Sequence, residues 1–172
     1  MKEDPLKVRM GLNSGDVILC DIGAAKARVD LTMIGDAVNI AARLETACSQ
    51  YFIDNLVSDS VAKGARGQFS LRIIDRIKVY GKETPVGVYE IINELENTSQ
   101  EENDLIKHFE KGFEAYTKGK FSTGLKHFQK SKPLEIDRGY PSTPSDVYIS
   151  RCKILEKSSP DDWDGTWTLE SK

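Results

Sequence analysis

Alternation of apolar and polar residues opens the chain and predicts strands. Every second residue is apolar between residues 8 and 12, and a mostly apolar run covers residues 17–22. The residues between them, Asn-Ser-Gly-Asp at 13–16, have strong turn preferences, so the pattern predicts a β-hairpin. Residues 32–34 predict a third, short extended segment.

The pattern changes to helical spacing after Gly35. The segment from Ala37 to Cys48 is rich in residues with high helix propensity, and Asp36 before it is a good N-cap candidate. Apolar residues recur in this segment at i, i+4 and i+7, namely Ile40, Leu44 and Ala47. The sequence therefore predicts an amphipathic helix that Asp36 caps.

Strand and helix signals alternate further along the chain. A short strand is predicted at 55–58, and a brief helix after it that Ser58 or Asp59 caps. Two longer strands are predicted within 69–80 and 86–92, joined by a turn-rich connection. Strands mixed with helices in this way indicate an α+β fold.

A change of composition divides the chain. The sequence becomes polar and acidic between residues 93 and 104, which predicts a linker around 97–103. We therefore expect a first domain over residues 1–96. The remainder, residues 97–172, is called the tail.

The tail predicts helices and resembles one tetratricopeptide unit. Apolar residues recur at helical spacing before and after Gly119, which predicts two short antiparallel helices, and a third helix capped by Ser145 is predicted within 140–157. Small and aromatic residues fall near the pattern of the repeat: Gly112, Gly119, Phe121 and Phe128, with Gly124 where alanine is usual. A generic helical hairpin is the alternative. A single unit cannot bury a core alone, so we expect the tail to dock on the first domain or on a protein partner.

Charge and composition narrow the classes of partner. The 172 residues carry a formal net charge of −3, so no basic surface indicates a nucleic acid or an anionic membrane. The three cysteines are widely spaced, which predicts reduced thiols in the cytoplasm rather than a disulfide framework or a zinc site. No stretch approaches the apolar length of a membrane-spanning helix. Small molecules and proteins are the expected partners.

Three segments together resemble the C-terminal half of class III nucleotidyl cyclase domains. They read GLNSGDVILCDIG at 11–23, RVDLTMIGDAVNIAARLE at 28–45 and IKVYGKETPVGVYEI at 77–91. The resemblance implies part of a ferredoxin-like α+β fold and an adenylate cyclase, which converts ATP to cyclic AMP and pyrophosphate. It also implies a dimer with sites at the interface. A guanylate cyclase is the alternative within the family.

Asn39 and Arg43 are the candidate catalytic residues. They lie one helical turn apart, so both project from one side of the predicted helix near its N-terminus. A guanidinium can hold two phosphate oxygens, which suits a nucleotide. The alternative is that Asn39 is an ordinary polar residue of the first turn and that Arg43 is a solvated arginine paired with Glu45 or a neighbour. The resemblance implies that Asn39 orients the ribose and that Arg43 stabilises the phosphate in the transition state.

Thr32 and Lys82 are the candidate nucleotide-binding residues. Thr32 lies seven residues before Asn39, where the family has a residue that contacts the base, and threonine there favours ATP. Its hydroxyl can donate or accept, so it does not by itself distinguish ATP from GTP. Its alternative is an ordinary β-branched strand residue. The family's triphosphate-binding lysine normally precedes a glycine, but Tyr80 has that place here and Lys82 follows Gly81. Lys82 is therefore either a phosphate ligand or an exposed turn residue.

The resemblance also implies two divalent ions, Mg²⁺ or Mn²⁺. The family's two metal-binding aspartates lie on earlier segments than those recognised here, so we expect the ligands from residues absent in this chain. The chain would then supply the Asn/Arg side of a shared site, be inactive alone and belong to a longer protein, for which the resemblance allows a membrane anchor. The rival interpretation is a non-catalytic interaction or regulatory protein that pairs with a cyclase.

Overall fold

The computed structural model describes residues 6–23, 29–77, 85–160 and 162–167. Within them lie six strands: β1 (Met10–Leu12), β2 (Ile18–Gly23), β3 (Val29–Ile34), β4 (Asn55–Ser58), β5 (Phe69–Ile77) and β6 (Val86–Glu94). The described helices are α1 (Asp36–Tyr51), α2 (Asp59–Ala65), α3 (Gln100–Thr117), α4 (Phe121–Ser131) and α5 (Pro144–Lys157). The predicted α+β class is confirmed.

The strands form two separate sheets. Four strands make a mixed sheet in the order β1-β4-β6-β5, and β2 pairs with β3 in an antiparallel ribbon. β1 and β4 are parallel, whereas β6 is antiparallel to both of its neighbours. α1 connects the ribbon to β4 and packs on β1 and β4.

The predicted hairpin of β1 with β2 is wrong. Both strands exist, but β1 pairs in parallel with β4 while β2 pairs with β3. Local turn preferences carry no information about the distant partner β4, and α1 packs on β1 and β4 together. A Cβ on Gly11 would overlap the carbonyl oxygen of Ala41, so a larger residue in β1 would push the helix away.

The predicted cap of α1 is also wrong. Gly35 is the N-cap, and Asp36 is the first residue of the helix. Gly35 has a φ of 153°, which favours glycine, and its carbonyl accepts hydrogen bonds from the backbone N–H groups of Val38 (3.1 Å) and Asn39 (3.3 Å). Asp36 still contributes a negative charge to the first turn, where the helix dipole favours it.

Residues 55–65 follow the prediction closely. β4 covers the predicted range, and Ser58 is the N-cap of α2, with its hydroxyl oxygen accepting from the N–H of Val61 at 3.5 Å. The two longer predicted strands are β5 and β6, and they form an antiparallel pair. Their connection, residues 78–84, lies outside the described residues.

The tail contains the three predicted helices with different starts. The segment predicted as a linker, 97–103, forms the end of a short 3-10 helix and the first turn of α3, where Ser99 and Glu102 make a reciprocal capping box. Thr143, rather than Ser145, caps α5, because Pro144 fits the first helical position. Ser145 is instead buried.

One continuous core joins the tail to the sheet. α3 and α4 pack antiparallel on either side of Gly119, which has a φ of 72°, and α3 packs on β5. The core contains buried side chains from α1, the turn after it, the sheet and all three tail helices: Leu44, Tyr51, Ile53, Leu56, Ile74, Val88, Phe109, Phe113, Tyr116, Phe128, Tyr148 and Leu155. The tail is therefore packed on the sheet rather than separated from it. No helix among the described residues is long and apolar enough to cross a membrane.

Burial makes two of the three thiols poor nucleophiles, which leads to a labelling prediction. Burial raises the pKa of Cys48 to about 11 and that of Cys152 to about 12, whereas Cys20 is half-buried in β2. At pH 8, roughly one in a thousand Cys48 thiols is ionised. We expect a thiol reagent to label one cysteine rapidly in the native chain and three in denaturant, as counted by mass spectrometry. Cys20→Ser should abolish the rapid labelling; rapid modification of Cys48 or Cys152 would contradict the prediction.

Candidate active site

The side chains of Asn39 and Arg43 share one exposed side of α1. Both residues are exposed, and they lie one turn apart in the first half of the helix. Glu45, the alternative partner of Arg43, instead pairs with Arg9 at 3.0 Å. Within the described part of the chain, no hydrogen bond or ion pair engages the side chain of either Asn39 or Arg43. An amide and a guanidinium are thus available together for a ligand.

A cavity of about 560 Å³ opens beside the N-terminus of α1, but the candidate residues do not line it. Its lining includes Asp16, Asp36 and Asp59, together with Lys63, which pairs with Asp59 at 2.8 Å. The surplus of carboxylates disfavours a triphosphate there. The candidate site therefore lies on the open side of α1 rather than in this cavity.

Thr32 lies on the strand that leads into α1. It is half-buried in β3, directly opposite Cys20 of β2, and Gly35 separates its strand from the helix. Thr32 and the α1 pair thus lie on consecutive elements, and no hydrogen bond joins their side chains in the described part of the chain. Lys82 lies outside the described residues, so its prediction stays untested.

No metal centre is found in the described ranges, where no group of three or more His, Cys, Asp or Glu side chains could hold an ion. His108 and His127 face each other across α3 and α4 with ring centroids 5.9 Å apart. Burial and the neighbouring His108 lower the pKa of His127. Two imidazoles without a carboxylate partner do not fit Mg²⁺ or Mn²⁺, which prefer oxygen ligands.

A buried cluster of charges joins the sheet to the tail. Arg72 of β5 donates to Glu90 of β6 (3.0 and 2.5 Å) and to Glu135 (2.9 Å to each oxygen), and Arg138 pairs with Glu90 at 2.6 Å. Burial alone would lower the pKa of Arg72, but the two carboxylates raise it. Glu135 also accepts from the backbone N–H (3.0 Å) and the hydroxyl (2.6 Å) of Ser145. The local sequence pattern does not predict this cluster, because its residues come from distant parts of the chain.

A second buried group lies at the C-terminal end of α1. The hydroxyl of Tyr51 donates to Asp75 of β5, and the same carboxylate oxygen accepts from Arg151 of α5 at 2.9 Å. Burial and the Asp75 carboxylate raise the pKa of Tyr51 well above its ordinary value. All three residues are at most 5% exposed. The helix that carries Asn39 and Arg43 is therefore tied to the tail through Asp75.

Comparison with known proteins identifies a family for the first part of the chain. The model of the adenylate and guanylate cyclase catalytic domain matches residues 1–93. An adenylate cyclase of Anabaena cylindrica is 38% identical over 50% of this chain, and adenylate cyclase 1 of Rhizobium meliloti (strain 1021) is 30% identical over 50%. The terminal-differentiation specific adenylate cyclase of Dictyostelium discoideum is 27% identical over 83% of the chain.

These relatives are much longer than the region that matches. The chain spans 18%, 13% and 7% of their respective lengths. Among solved structures, the adenylyl cyclase CyaB from P. aeruginosa is 30% identical, with a TM-score of 0.44 over 56% of this chain and 48% of that one. A bacterial light-regulated adenylyl cyclase is 28% identical, with a TM-score of 0.37 over 45% of this chain and 21% of that one. Because the family model covers more than half of the 172 residues, this chain belongs to the family of adenylate and guanylate cyclase catalytic domains.

Proposed function

We propose that this chain supplies one side of an adenylate cyclase site, which converts ATP to cyclic AMP and pyrophosphate. The observation that carries the proposal is the exposed pair of Asn39 and Arg43 on one side of α1. Their side chains have no hydrogen-bond or ion-pair partner in the described part of the chain. Family membership supports cyclase chemistry, and the names of the three relatives favour ATP over GTP.

The proposed reaction forms one bond and breaks another at the α-phosphorus. The ribose 3′-oxygen attacks that phosphorus as its proton departs, and the bond to the oxygen of the leaving pyrophosphate breaks. The protein takes little part in the covalent chemistry, so its contribution to the rate comes mainly from positioning the reactants and stabilising charge. Asn39 would hold the ribose in line for attack. Arg43 would place two N–H groups against the phosphate oxygens that gain charge in the transition state.

The remaining requirements of the site involve other residues. We propose that Thr32 contacts the adenine and that Lys82 approaches the triphosphate. Cyclases of this class use Mg²⁺ or Mn²⁺, but the described residues do not fit such an ion. We therefore derive no step of this chain through a metal. The proposal places the metal ligands on a second protomer, so that the complete site lies at a dimer interface.

The test combines the chain with a complementing protomer. This partner is a class III cyclase protomer that keeps its metal-binding carboxylates but has its own catalytic arginine replaced by alanine. We expect cyclic AMP from ATP and Mn²⁺ in the mixture, and none from either protein alone. Absence of product in the mixture would overturn the proposal and favour a non-catalytic interaction protein. Robust production by this chain alone would overturn the shared-site account.

Base selection is tested separately at Thr32. In the mixture, we expect kcat/KM for ATP to exceed that for GTP by at least about tenfold. Thr32→Val should reduce this preference, because valine keeps the β-branched shape and removes the hydroxyl that can hydrogen-bond a base. Cys20→Ser, on the directly paired position of β2, is the matched control. Equal kcat/KM values for ATP and GTP in wild type would contradict the assignment of Thr32 to the base. An unchanged ratio of these values in Thr32→Val would contradict it as well.

We also propose that the tail is a tetratricopeptide-like unit that offers a surface to a protein partner. Its support is the close approach of α3 and α4 at small residues. A Cβ on Gly124 would lie 3.2 Å from the carbonyl oxygen of Gly112, and a Cβ on Gly112 would lie 2.9 Å from the ring of Phe128. Small residues at the crossing of two helices are a feature of this repeat.

A further inference from the structure

We propose that the tail positions the candidate catalytic helix, through a clamp formed by Tyr51, Asp75 and Arg151. The inference rests on the proposed function for its catalytic consequence, whereas the clamp itself is a property of the fold. Tyr51 and Arg151 are positioning residues in this proposal, because neither lies on the exposed side of α1 that carries Asn39 and Arg43.

The clamp joins three elements at one carboxylate oxygen. Asp75, on β5, accepts a hydrogen bond from the hydroxyl of Tyr51, the last residue of α1. It accepts another from the guanidinium of Arg151, in the tail helix α5. The same guanidinium lies 5.4 Å from the centre of the Tyr51 ring and 4.9 Å from that of Tyr148. A charge held between a carboxylate and aromatic faces in a buried site has few alternative positions. The end of α1 is thereby fixed relative to α5.

The turn after α1 has a second set of contacts with the tail. Asp54 accepts a hydrogen bond from the Tyr140 hydroxyl at 2.9 Å and pairs with Arg138 at 3.4 Å. Arg138 also pairs with the buried Glu90 of β6 at 2.6 Å. Tail residues thus hold both the last residue of α1 and the turn that follows it. Two separate contacts restrain rotation of the helix end more than one contact would.

The helix itself transmits this restraint to the candidate site. Arg43 lies eight residues before Tyr51 in an uninterrupted α-helix, a separation of about 12 Å along the axis. Leu44 and Cys48 are buried on the core-facing side, so α1 moves as one body when its end moves. A small rotation at Tyr51 would therefore turn Asn39 and Arg43 away from a bound nucleotide. Misplacement of about 1 Å can cost a large factor in rate.

The test compares two buried tyrosine hydroxyls. Tyr51→Phe removes the hydrogen bond from α1 to Asp75, while Tyr148→Phe removes a hydrogen bond of 2.7 Å from α5 to the Ile74 carbonyl. Both side chains are 0% exposed, so both variants lose one buried hydroxyl from the same core. Only the first loss involves α1. We expect amide hydrogen exchange in α1 of the full chain to become about tenfold faster in Tyr51→Phe.

Tyr148→Phe is the control, and we expect it to change the rate of amide hydrogen exchange in α1 by less than about threefold. Arg151→Lys keeps the charge but loses the planar fork, and we expect it to accelerate exchange in α1 as Tyr51→Phe does. Equal acceleration in Tyr51→Phe and Tyr148→Phe, or none in either, would overturn the clamp. This measurement does not depend on cyclase activity.

Activity of the mixture with the complementing protomer tests the catalytic consequence. We expect Tyr51→Phe to lower kcat by about 3- to 10-fold at nearly constant KM for ATP, because ground-state binding survives a small misorientation. In an Arg43→Ala background the same change should lower kcat by a smaller factor, since only the part of the effect that acts through Asn39 remains. Unchanged kcat alongside faster exchange would overturn the positioning role. Absence of cyclic AMP from the wild-type mixture would overturn the proposed function. The hydrogen-exchange data would still show whether the clamp restrains α1.

Discussion

Arg43→Ala is expected to lower kcat of the complemented cyclase by about 10²- to 10³-fold, with a much smaller change in KM for ATP. The reason is that the guanidinium would bind most strongly to oxygens that gain charge only in the transition state. Steady-state cyclic AMP formation over a range of ATP concentrations measures both constants. Arg43→Lys should recover only part of the activity, because an ammonium holds one oxygen where a guanidinium holds two.

The matched control for this experiment is Arg9→Ala. Arg9 is also a partly exposed arginine next to α1, and its guanidinium pairs with Glu45 of the same helix. An exposed pair of this kind contributes little to stability, so activity should stay within about threefold of wild type. Equal losses in the two variants would mean that Arg43 acts as a general surface charge. Equal changes in kcat and KM for Arg43→Ala would argue against the transition-state role.

Local sequence signals predicted most elements of this fold correctly. Nearby residues determine β4, β5 and β6 as strands, the cap of α2 at Ser58, which is one of its two predicted caps, and the break at Gly119. Turn chemistry also predicted a hairpin of β1 with β2, and this was wrong. The partner of β1 is β4, more than 40 residues further on, and the local signal has no information about that pairing.

The error at the start of α1 has a different cause. Aspartate is a preferred N-cap residue, so Asp36 was the natural choice from sequence. The backbone at the cap has a φ of 153°, and Gly35 adopts it without strain. The cap therefore lies one residue earlier. The spacing of Asn39 and Arg43 is unaffected, since both remain one turn apart in the same helix.

The buried charges could not be predicted from the strand pattern. In β5 the residues that face the core include Ser70, Arg72 and Asp75, while the more apolar Leu71 and Ile73 are only half-buried. Alternation in the sequence would favour the opposite orientation. The difference arises because the tail brings Glu135 and Arg151 onto this side of β5 and pairs both charges there. Residues more than 60 positions away thus decide which side of the strand is inside.

Glu135→Ala is expected to lower the free energy of unfolding by about 3–5 kcal/mol, because it leaves the buried Arg72 short of one of its two carboxylate partners. For a chain of this length the loss corresponds to a fall in Tm of roughly 10 °C. Glu114→Ala is the control: Glu114 also pairs with a basic residue, Lys118, but its side chain is 66% exposed, so Tm should not change measurably. Equal Tm values for the two variants would contradict the structural role of the buried cluster.

Unfolding of wild type and Glu135→Ala in urea tests whether the tail and the first domain fold as separate units. Both tryptophans, Trp163 and Trp167, lie in the tail, so their fluorescence follows the tail, whereas far-UV circular dichroism follows the whole chain. Arg72 of the sheet and Glu135 of the tail form a buried ion pair, and the sheet and the tail share one hydrophobic core. We therefore expect the fluorescence and the circular dichroism to change together in urea, both in wild type and in Glu135→Ala. Separate transitions would mean that the boundary near residue 97 divides two independent domains. A single transition that shifts with Glu135 would mean that the cyclase sheet depends on its tail, as the clamp on α1 requires.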